Sequence, residues 1–337
     1  MTEAQTSSPT TPQERSVGIE NPNRDLKLAL VNELESTLGA NMDRLDLKMI
    51  TSAIRELREA FTTFAPYRTQ HKVTIFGSAR TTPTDPRYTL ALALGAAFAQ
   101  RDWLVITGGG PGIMEAATVG AGPKHAFGIN IRLPHEQDAV AGLEGIGHLI
   151  EMKYFFTRKV LMIKESSAFV SMPGGLGTLD ETFELLTLLQ TGKAQLAPLV
   201  LLEPPGHDYF STLLSFLTEV LVPQGLVSAS DLSLFRRCWT VEDTVDEVTH
   251  FYHNFHSARI VGHRLILRLQ RLPNESLLSA LNHDFVDIVR SGSIDATEPT
   301  AWEVREHDNI HLKRLALDFD QHSLGRLRTM IDRLNEV

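Results

Sequence analysis

Cysteine is the scarcest residue in this 337-residue sequence, and long apolar runs are absent from it. The single cysteine, Cys238, excludes an intrachain disulfide framework and a zinc site built from several cysteines. No apolar run approaches the roughly twenty residues that a membrane-spanning helix needs. The net charge of -9 argues against an extended surface for nucleic acid or anionic membrane, although a local basic pocket can still hold a small anion. We therefore expect a soluble, cytoplasmic protein that binds neither nucleic acid nor membrane.

The amino-terminal part of the sequence has two textures. Residues 1–24 are rich in Thr, Ser, Pro, Gln and Glu, which predicts a disordered tail that is neither a signal peptide nor an anchor. From 25 to 68 apolar residues recur at helical spacing with a break at 39–41, which predicts a helical arm of two segments. Such an arm either packs on the following domain or lies across a partner subunit.

Short apolar runs alternate with helical patterns between residues 69 and 257. Runs without polar alternation indicate strands that are covered on both faces, so the pattern predicts an α/β fold with a Rossmann-like, doubly wound parallel sheet. Ligands bind such sheets at the carboxyl ends of the strands. The predicted strands are 73–76, 104–107, 127–131, 148–152, 169–172 and 199–202, and the predicted helices are 87–100, 113–120, 154–166, 179–191, 209–221 and 241–257.

The last segment, 258–337, predicts a small α+β module without a catalytic signature. Its order is β-α-β-β-α, with extended runs at 264–270, 293–297 and 312–320 and helices at 275–289 and 323–335. Just before it, His250, His253 and His256 follow one another on a predicted helix. Their spacing does not bring three rings to one point, so we expect no metal site.

Three predicted strands end in turns of small residues, which let the backbone approach a ligand and offer N–H groups to an anion. None completes the dinucleotide pattern G-x-G-x-x-G, and no phosphate-binding P-loop occurs. The turns therefore favour a mononucleotide phosphate over NAD or ATP, and their alternative role is a tight strand-to-helix corner. They contain Gly77, Ser78 and Ala79 in the first, Gly108, Gly109, Gly110 and Gly112 in the second, and Gly174, Gly175, Gly177 and Thr178 in the third.

An acid and two cations accompany the third turn. Glu181 lies in the first turn of the predicted helix 179–191, where it either takes part in catalysis or closes a capping box with Thr178. Arg158 and Lys159 lie near the start of the predicted helix 154–166, which begins at the same edge of the sheet. The helix dipole disfavours cations there, so a ligand-facing role is favoured over a solvated basic helix start.

These motifs resemble a known family. Arg158-Lys159 followed by the segment 173–181 resembles the paired RK and PGGxGTxxE signatures of the Lonely Guy (LOG) family, whose members were once labelled lysine decarboxylases. The resemblance runs from about residue 72 to 251 and includes the first two turns, although Phe155-Phe156-Thr157 replaces the family's Met-His. The arm and the carboxyl-terminal module look like those of a longer bacterial form.

The resemblance implies a phosphoribohydrolase that cleaves the N-glycosidic bond of a nucleoside 5′-monophosphate, such as AMP or a cytokinin riboside 5′-monophosphate. Its products are the free base and ribose 5-phosphate. The resemblance also implies a homo-oligomer, at least a dimer, and the chemistry requires no metal or other cofactor. Arg158 and Glu181 would form the catalytic pair. The expected substrate contacts are Gly77, Ser78, Gly109, Gly110, Lys159, Gly174, Gly175, Gly177 and Thr178, together with Glu136, which either meets a ribose hydroxyl or is a solvated loop charge.

The chemistry of the pair agrees with that reaction. Loss of a base from ribose passes through an oxocarbenium-like transition state, which an ionised carboxylate such as Glu181 stabilises while it orients water. Arg158 cannot act as a base, so its role would be to fix the substrate and hold Glu181. Three alternatives stay open at this point: a nucleotide or cofactor carrier without turnover, a pyridoxal-phosphate decarboxylase, and a DNA-binding protein, which the acidic balance disfavours.

Overall fold

The computed structural model describes residues 23–131 and 148–336 and divides into two units, the first ending at Ser52 and the second starting at Ala53. The apolar spacing correctly predicts two helices at the amino-terminal end, α1 (Arg24–Gly39) and α2 (Arg44–Phe64). In the first unit, Asp43 Oδ1 accepts hydrogen bonds from the N–H groups of Leu45 and Asp46 at 2.7 and 2.8 Å. This side-chain cap starts α2 after the break.

The second unit contains a parallel sheet of seven strands in the order β4-β3-β2-β1-β5-β6-β7. The six strands expected from the sequence are confirmed to within one residue, and β7 at the edge is additional. Strand β7 pairs in parallel with its neighbour β6. The strands are β1 (Lys72–Phe76), β2 (Leu104–Thr107), β3 (Ala126–Ile131), β4 (Leu149–Met152), β5 (Ala168–Ser171), β6 (Leu199–Leu202) and β7 (Phe235–Cys238).

Both faces of this sheet are buried, which explains the apolar runs. Alternate residues of β6 enter two separate apolar clusters, Leu199 and Leu201 on one face and Val200 and Leu202 on the other. Burial on two faces is what a doubly wound α/β sheet requires, and the predicted fold class is confirmed. The covering helices are α3 (Pro86–Ala99), α4 (Ile113–Ala121), α5 (Phe155–Glu165), α6 (Leu176–Gln190), α7 (Tyr209–Phe216) and α8 (Val241–Phe251).

Three of these helices differ from their predicted bounds by more than one residue, and the first is α7, which ends at Phe216 and not at the predicted residue 221. Helix α6 starts at Leu176, three residues before the predicted start at Leu179. Helix α8 ends at Phe251, so the prediction of a helix to residue 257 is wrong. The helix stops because Asn335 Oδ1 accepts hydrogen bonds from the N–H groups of Asn254 and Phe255, at 3.0 and 2.8 Å, and draws the chain into a strand.

The carboxyl-terminal segment forms an antiparallel sheet in the order β10-β11-β9-β8. The predicted order β-α-β-β-α omitted β8 and α10, and the predicted helix 275–289 ends at Asp284. His256 therefore lies on a strand and not on the helix with His250. The elements are β8 (Phe255–Val261), β9 (Arg264–Leu269), α9 (Glu275–Asp284), β10 (Val289–Ala296), α10 (Ala301–Glu306), β11 (Lys313–Phe319) and α11 (Leu324–Leu334).

Among the helices of residues 23–131 and 148–336, none combines the length and the apolar character needed to cross a membrane.

Candidate active site

The three small-residue turns meet at the carboxyl ends of β1, β2 and β5. The N–H of Ile113, after the β2 turn, donates to the carbonyl oxygen of Ser78 at 3.1 Å. The N–H of Ser78 donates to the carbonyl oxygen of Pro173 at 3.3 Å. The β1 turn therefore lies between the other two and is hydrogen-bonded to both, so the structure brings the predicted turns together at one edge of the sheet.

Glycine in the β1 turn and at the end of the β2 turn serves this close packing. A Cβ on Gly77 would lie 2.6 Å from Cβ of Ile113, and a Cβ on Gly112 would lie 2.8 Å from the carbonyl carbon of Ala79. Gly112 also has a φ of +70°, which L side chains rarely adopt. Of the two residues expected to contact substrate here, Ser78 has its backbone hydrogen-bonded to both neighbouring turns, and Gly77 packs against the side chain of Ile113.

The middle of the β2 turn lies against the arginine of α5. A Cβ on Gly108 would collide with Nη2 of Arg158 and lie 2.8 Å from Sδ of Met114. Gly109 has a φ of +66°, and its N–H donates to Thr107 Oγ1 at 3.2 Å. A Cβ on Gly110 would lie 2.6 Å from Cε of Met114. Gly108 and Met114 were not among the substrate contacts expected from the sequence, although Gly108 belongs to the same run of glycines as Gly109 and Gly110.

The β5 turn leads directly into α6. Gly175 is the N-cap residue and Thr178 lies inside the first helical turn, so the capping box between Thr178 and Glu181, one of the two alternatives for Glu181, does not form. A Cβ on Gly174 would lie 2.6 Å from Cβ of Thr178, whereas one on Gly175 or Gly177 would meet no described atom within 4 Å. The first N–H groups of a helix have no partner within the helix.

Arg158 of α5 and Glu181 of α6 form a buried ion pair. Nη1 of Arg158 lies 2.8 Å from Oε1 of Glu181, and the two side chains are only 11% and 9% exposed. Nε of Arg158 donates to the carbonyl oxygen of Ile129, at the end of β3, at 2.9 Å. Burial raises the pKa of Glu181 above its ordinary value, and the positive charge of Arg158 offsets only part of that effect.

Lys159 is paired within the chain. Its Nζ lies 2.7 Å from Oδ2 of Asp180 and 2.6 Å from Oε2 of Glu184, both on α6. Burial lowers the pKa of Lys159, but hydrogen bonds to the two carboxylates outweigh it, and the net shift is upward. The ligand-facing role expected for Lys159 left out these two acids, which pair with its ammonium group and join α5 to α6.

A carboxylate of α2 lies at the start of the helix that carries Arg158. Oε1 of Glu56 accepts from the N–H of Lys153 at 3.1 Å, and Oε2 accepts from Thr157 Oγ1 at 2.7 Å. A carboxylate at a helix start is favoured by the helix dipole. Sequence reasoning missed Glu56 because its partners lie about a hundred residues further along the chain.

Glu136 lies outside the described residues. Among the residues that the structure does describe, no three His, Cys, Asp or Glu side chains are grouped closely enough to hold a metal ion.

The fold and the ion pair define an α/β protein with a candidate active site at the carboxyl ends of β1, β2 and β5. A family model described as "Possible lysine decarboxylase" matches residues 112–248. A cytokinin riboside 5′-monophosphate phosphoribohydrolase from Mycobacterium marinum is 34% identical over 158 residues, which cover 43% of this chain and 77% of that protein. A probable enzyme of the same name from Oryza sativa subsp. japonica is 29% identical over 155 residues, covering 45% and 71%. The chain belongs to the LOG family.

Two solved structures match part of this chain. The molybdenum cofactor binding protein from Rippkaea orientalis is 22% identical with a TM-score of 0.38, covering 53% of this chain and 96% of that one. DNA processing protein A from Helicobacter pylori is 17% identical with a TM-score of 0.39, covering 55% and 83%.

Proposed function

We propose that the protein hydrolyses the N-glycosidic bond of a nucleoside 5′-monophosphate, AMP or a cytokinin riboside 5′-monophosphate, to free base and ribose 5-phosphate. The observation that carries the proposal is a buried carboxylate, Glu181, paired with Arg158 near the amino end of α6. Membership of the LOG family and the names of the relatives support the same reaction.

Glu181 would act on the ribose. As the C1′–N bond breaks, positive charge develops on the sugar, and an ionised carboxylate in a poorly solvated place stabilises it strongly. Water adds its oxygen to C1′ and gives up a proton, while the departing base gains one. Arg158, fixed to Ile129 and Glu181, holds the carboxylate in place and keeps it ionised.

The amino end of α6 would hold the 5′-phosphate. Backbone N–H groups of Gly175, Gly177 and Thr178 and the positive end of the helix dipole suit a dianion. Gly109 and Gly110 of the β2 turn would let the substrate approach the backbone closely. Lys159, which is paired with Asp180 and Glu184, would contribute by fixing α6 against α5. Phosphate binding remote from the reacting bond positions the ribose against Glu181.

Incubation with AMP and with adenosine tests the proposal. Chromatography should show adenine and ribose 5-phosphate formed in equal amounts from AMP, and far slower release from adenosine because it lacks the phosphate. Rapid hydrolysis of adenosine would refute the phosphate site. AMP that is bound but recovered intact would indicate a carrier, and replacing AMP by a prenylated analogue would reveal the base preference.

We also propose that the protein is a cytoplasmic homo-oligomer of at least two copies. Apolar side chains on α5, the helix of Arg158, support this: Phe155 is 55%, Phe156 49% and Val160 52% exposed. Exposed apolar residues grouped on one helix are typical of surfaces that contact another chain. The mass in solution, measured by light scattering, should be at least twice the 37.5 kDa of one chain, and a monomer would contradict the proposal.

A further inference from the structure

Tyr209, the first residue of α7, is hydrogen-bonded to the β5 turn. Its hydroxyl donates to the carbonyl oxygen of Gly174 at 2.8 Å, across 35 positions of sequence. Gly174 directly precedes Gly175, the N-cap residue of α6. The hydroxyl of Tyr209 therefore reaches the peptide group at the entrance to the proposed phosphate site.

The bond fixes more than one carbonyl group. The C=O of Gly174 and the N–H of Gly175 belong to one planar trans peptide unit and point in opposite directions. When the carbonyl is held, the direction of the N–H is held as well. Two consecutive glycines leave the backbone with more freedom than any other pair, so a fixed orientation here needs an outside contact.

Tyr209 is itself firmly supported. Its ring packs edge-to-face on Phe210, with 5.0 Å between ring centroids, and Phe210 is fully buried. The N–H of Phe210 donates to the carboxylate of Glu203 at 3.3 Å. Glu203 is also fully buried, and Nε of Arg237 in β7 donates to it at 2.9 Å. A continuous set of contacts thus connects β6 and β7 to the turn.

We propose that Tyr209 is a positioning residue, which orients the Gly174–Gly175 peptide so that the first N–H groups of α6 meet the 5′-phosphate. The inference rests on the proposed function, and Tyr209 acts through the turn without touching the substrate. Since the phosphate is bound in both the ground state and the transition state, loss of the hydroxyl weakens binding more than turnover.

The test compares Tyr209→Phe with Tyr252→Phe. The hydroxyl of Tyr252 also donates to a backbone carbonyl, that of Ser167 at 2.6 Å, but at the amino end of β5, away from the site. In Tyr209→Phe, KM for AMP should rise about three- to tenfold, as expected for one lost hydrogen bond, with kcat changed less than about twofold. Tyr252→Phe should lower the melting temperature and leave KM unchanged.

Binding of ribose 5-phosphate, measured by calorimetry, separates this inference from the proposed function, because that ligand has no glycosidic bond to cleave. Tyr209→Phe should weaken its binding by the same factor as it raises KM, and Tyr252→Phe should not. The role of Tyr209 would be overturned if Tyr209→Phe and the unaltered protein bound ribose 5-phosphate with equal affinity, or if neither protein bound it. Weaker binding in Tyr209→Phe without release of base from AMP by the unaltered protein would sink the proposed function alone.

Discussion

The carboxylate of Glu181 is largely shielded from water, and Arg158, 2.8 Å away, stabilises its negative charge. Taking a carboxylate out of water costs several kcal/mol, and an ion pair repays this only with good geometry and further hydrogen bonds. Arg158 meets both conditions because its Nε is also bonded to the carbonyl oxygen of Ile129. The balance leaves Glu181 easier to protonate than an exposed glutamate, since burial raises its pKa.

The pH dependence of activity follows from that raised pKa. Protonated Glu181 cannot stabilise a positive ribose, so kcat/KM for AMP should fall as the pH drops through the raised pKa, above the ordinary value of about 4.3. Arg158→Gln removes the charge that lowers this pKa and should move the fall to higher pH, besides slowing the reaction. Base release measured between about pH 4 and pH 8 checks both shifts. A profile without any acidic fall would contradict the role of Glu181.

Helix α4 is bounded by two glycines in conformations that L residues rarely adopt. Gly112 precedes it with a φ of +70°, and Gly122 follows it with a φ of +74°. Only Gly112 faces another turn, because its hypothetical Cβ would collide with Ser78 and Ala79. For Gly122, the hypothetical Cβ would meet no described atom within 4 Å. Substituting each of these two glycines in turn therefore distinguishes the effect of backbone strain from the effect of displacing the site.

Gly122→Ala should lower the free energy of unfolding by about 1–3 kcal/mol, the usual cost of such a conformation, and leave KM for AMP unchanged. Gly112→Ala should cost more stability and reduce kcat/KM about tenfold or more, because it pushes the β1 turn out of place. Urea unfolding and base-release kinetics on both variants measure these effects. Equal losses of activity would show that the packing of the turns does not position the site.

The strands of the main sheet could be predicted from the sequence because burial on both faces requires continuous apolar runs. Strand β7 could not, since Arg236 and Arg237 occupy its middle at the sheet edge. The end of α8 was also missed. It depends on hydrogen bonds from Asn335, about eighty residues away, which no local pattern reveals.

The location of the site could be predicted from the sequence, but the contacts between its residues could not. Local spacing indicated that Arg158, Lys159 and the glycine turns share one edge, since parallel strands end together. It also suggested a capping box for Glu181, whose carboxylate instead pairs with Arg158. The bonds made by Glu56 and Tyr209 connect distant parts of the chain, and each of these residues reads locally as an ordinary helix residue.

At the scale of the whole molecule, a buried cluster of charged side chains on the carboxyl-terminal sheet contributes to the stability of the fold. Arg268 and Arg314 are direct neighbours across β9 and β11, and Glu303 of α10 bonds to both. Glu303 is fully buried, which raises its pKa, but bonds from Thr300 and Arg268 outweigh burial and bring the pKa to about 2. The ionised acid keeps two like charges on adjacent strands compatible with folding.

This cluster predicts how the fold responds to acid. Because the pKa of Glu303 is lowered, its contribution is fully present above about pH 4.3 and is lost as the pH falls toward about 2. Glu303→Gln should be less stable at neutral pH and should depend less on pH across that range. Glu306→Gln, on the exposed side of α10, is the control and should follow the unaltered protein. Thermal unfolding at several pH values measures this, and identical slopes for Glu303→Gln and Glu306→Gln would contradict it.

Release of adenine from AMP by the unaltered protein, by Glu181→Gln and by the exposed control Glu242→Gln is the most direct test of the account. The unaltered protein and Glu242→Gln should form adenine and ribose 5-phosphate in equal amounts. Glu181→Gln should bind AMP with nearly the same affinity and release adenine about 10²- to 10⁴-fold more slowly. Release by Glu181→Gln at the rate of the unaltered protein would contradict the assignment of Glu181 to the glycosidic bond.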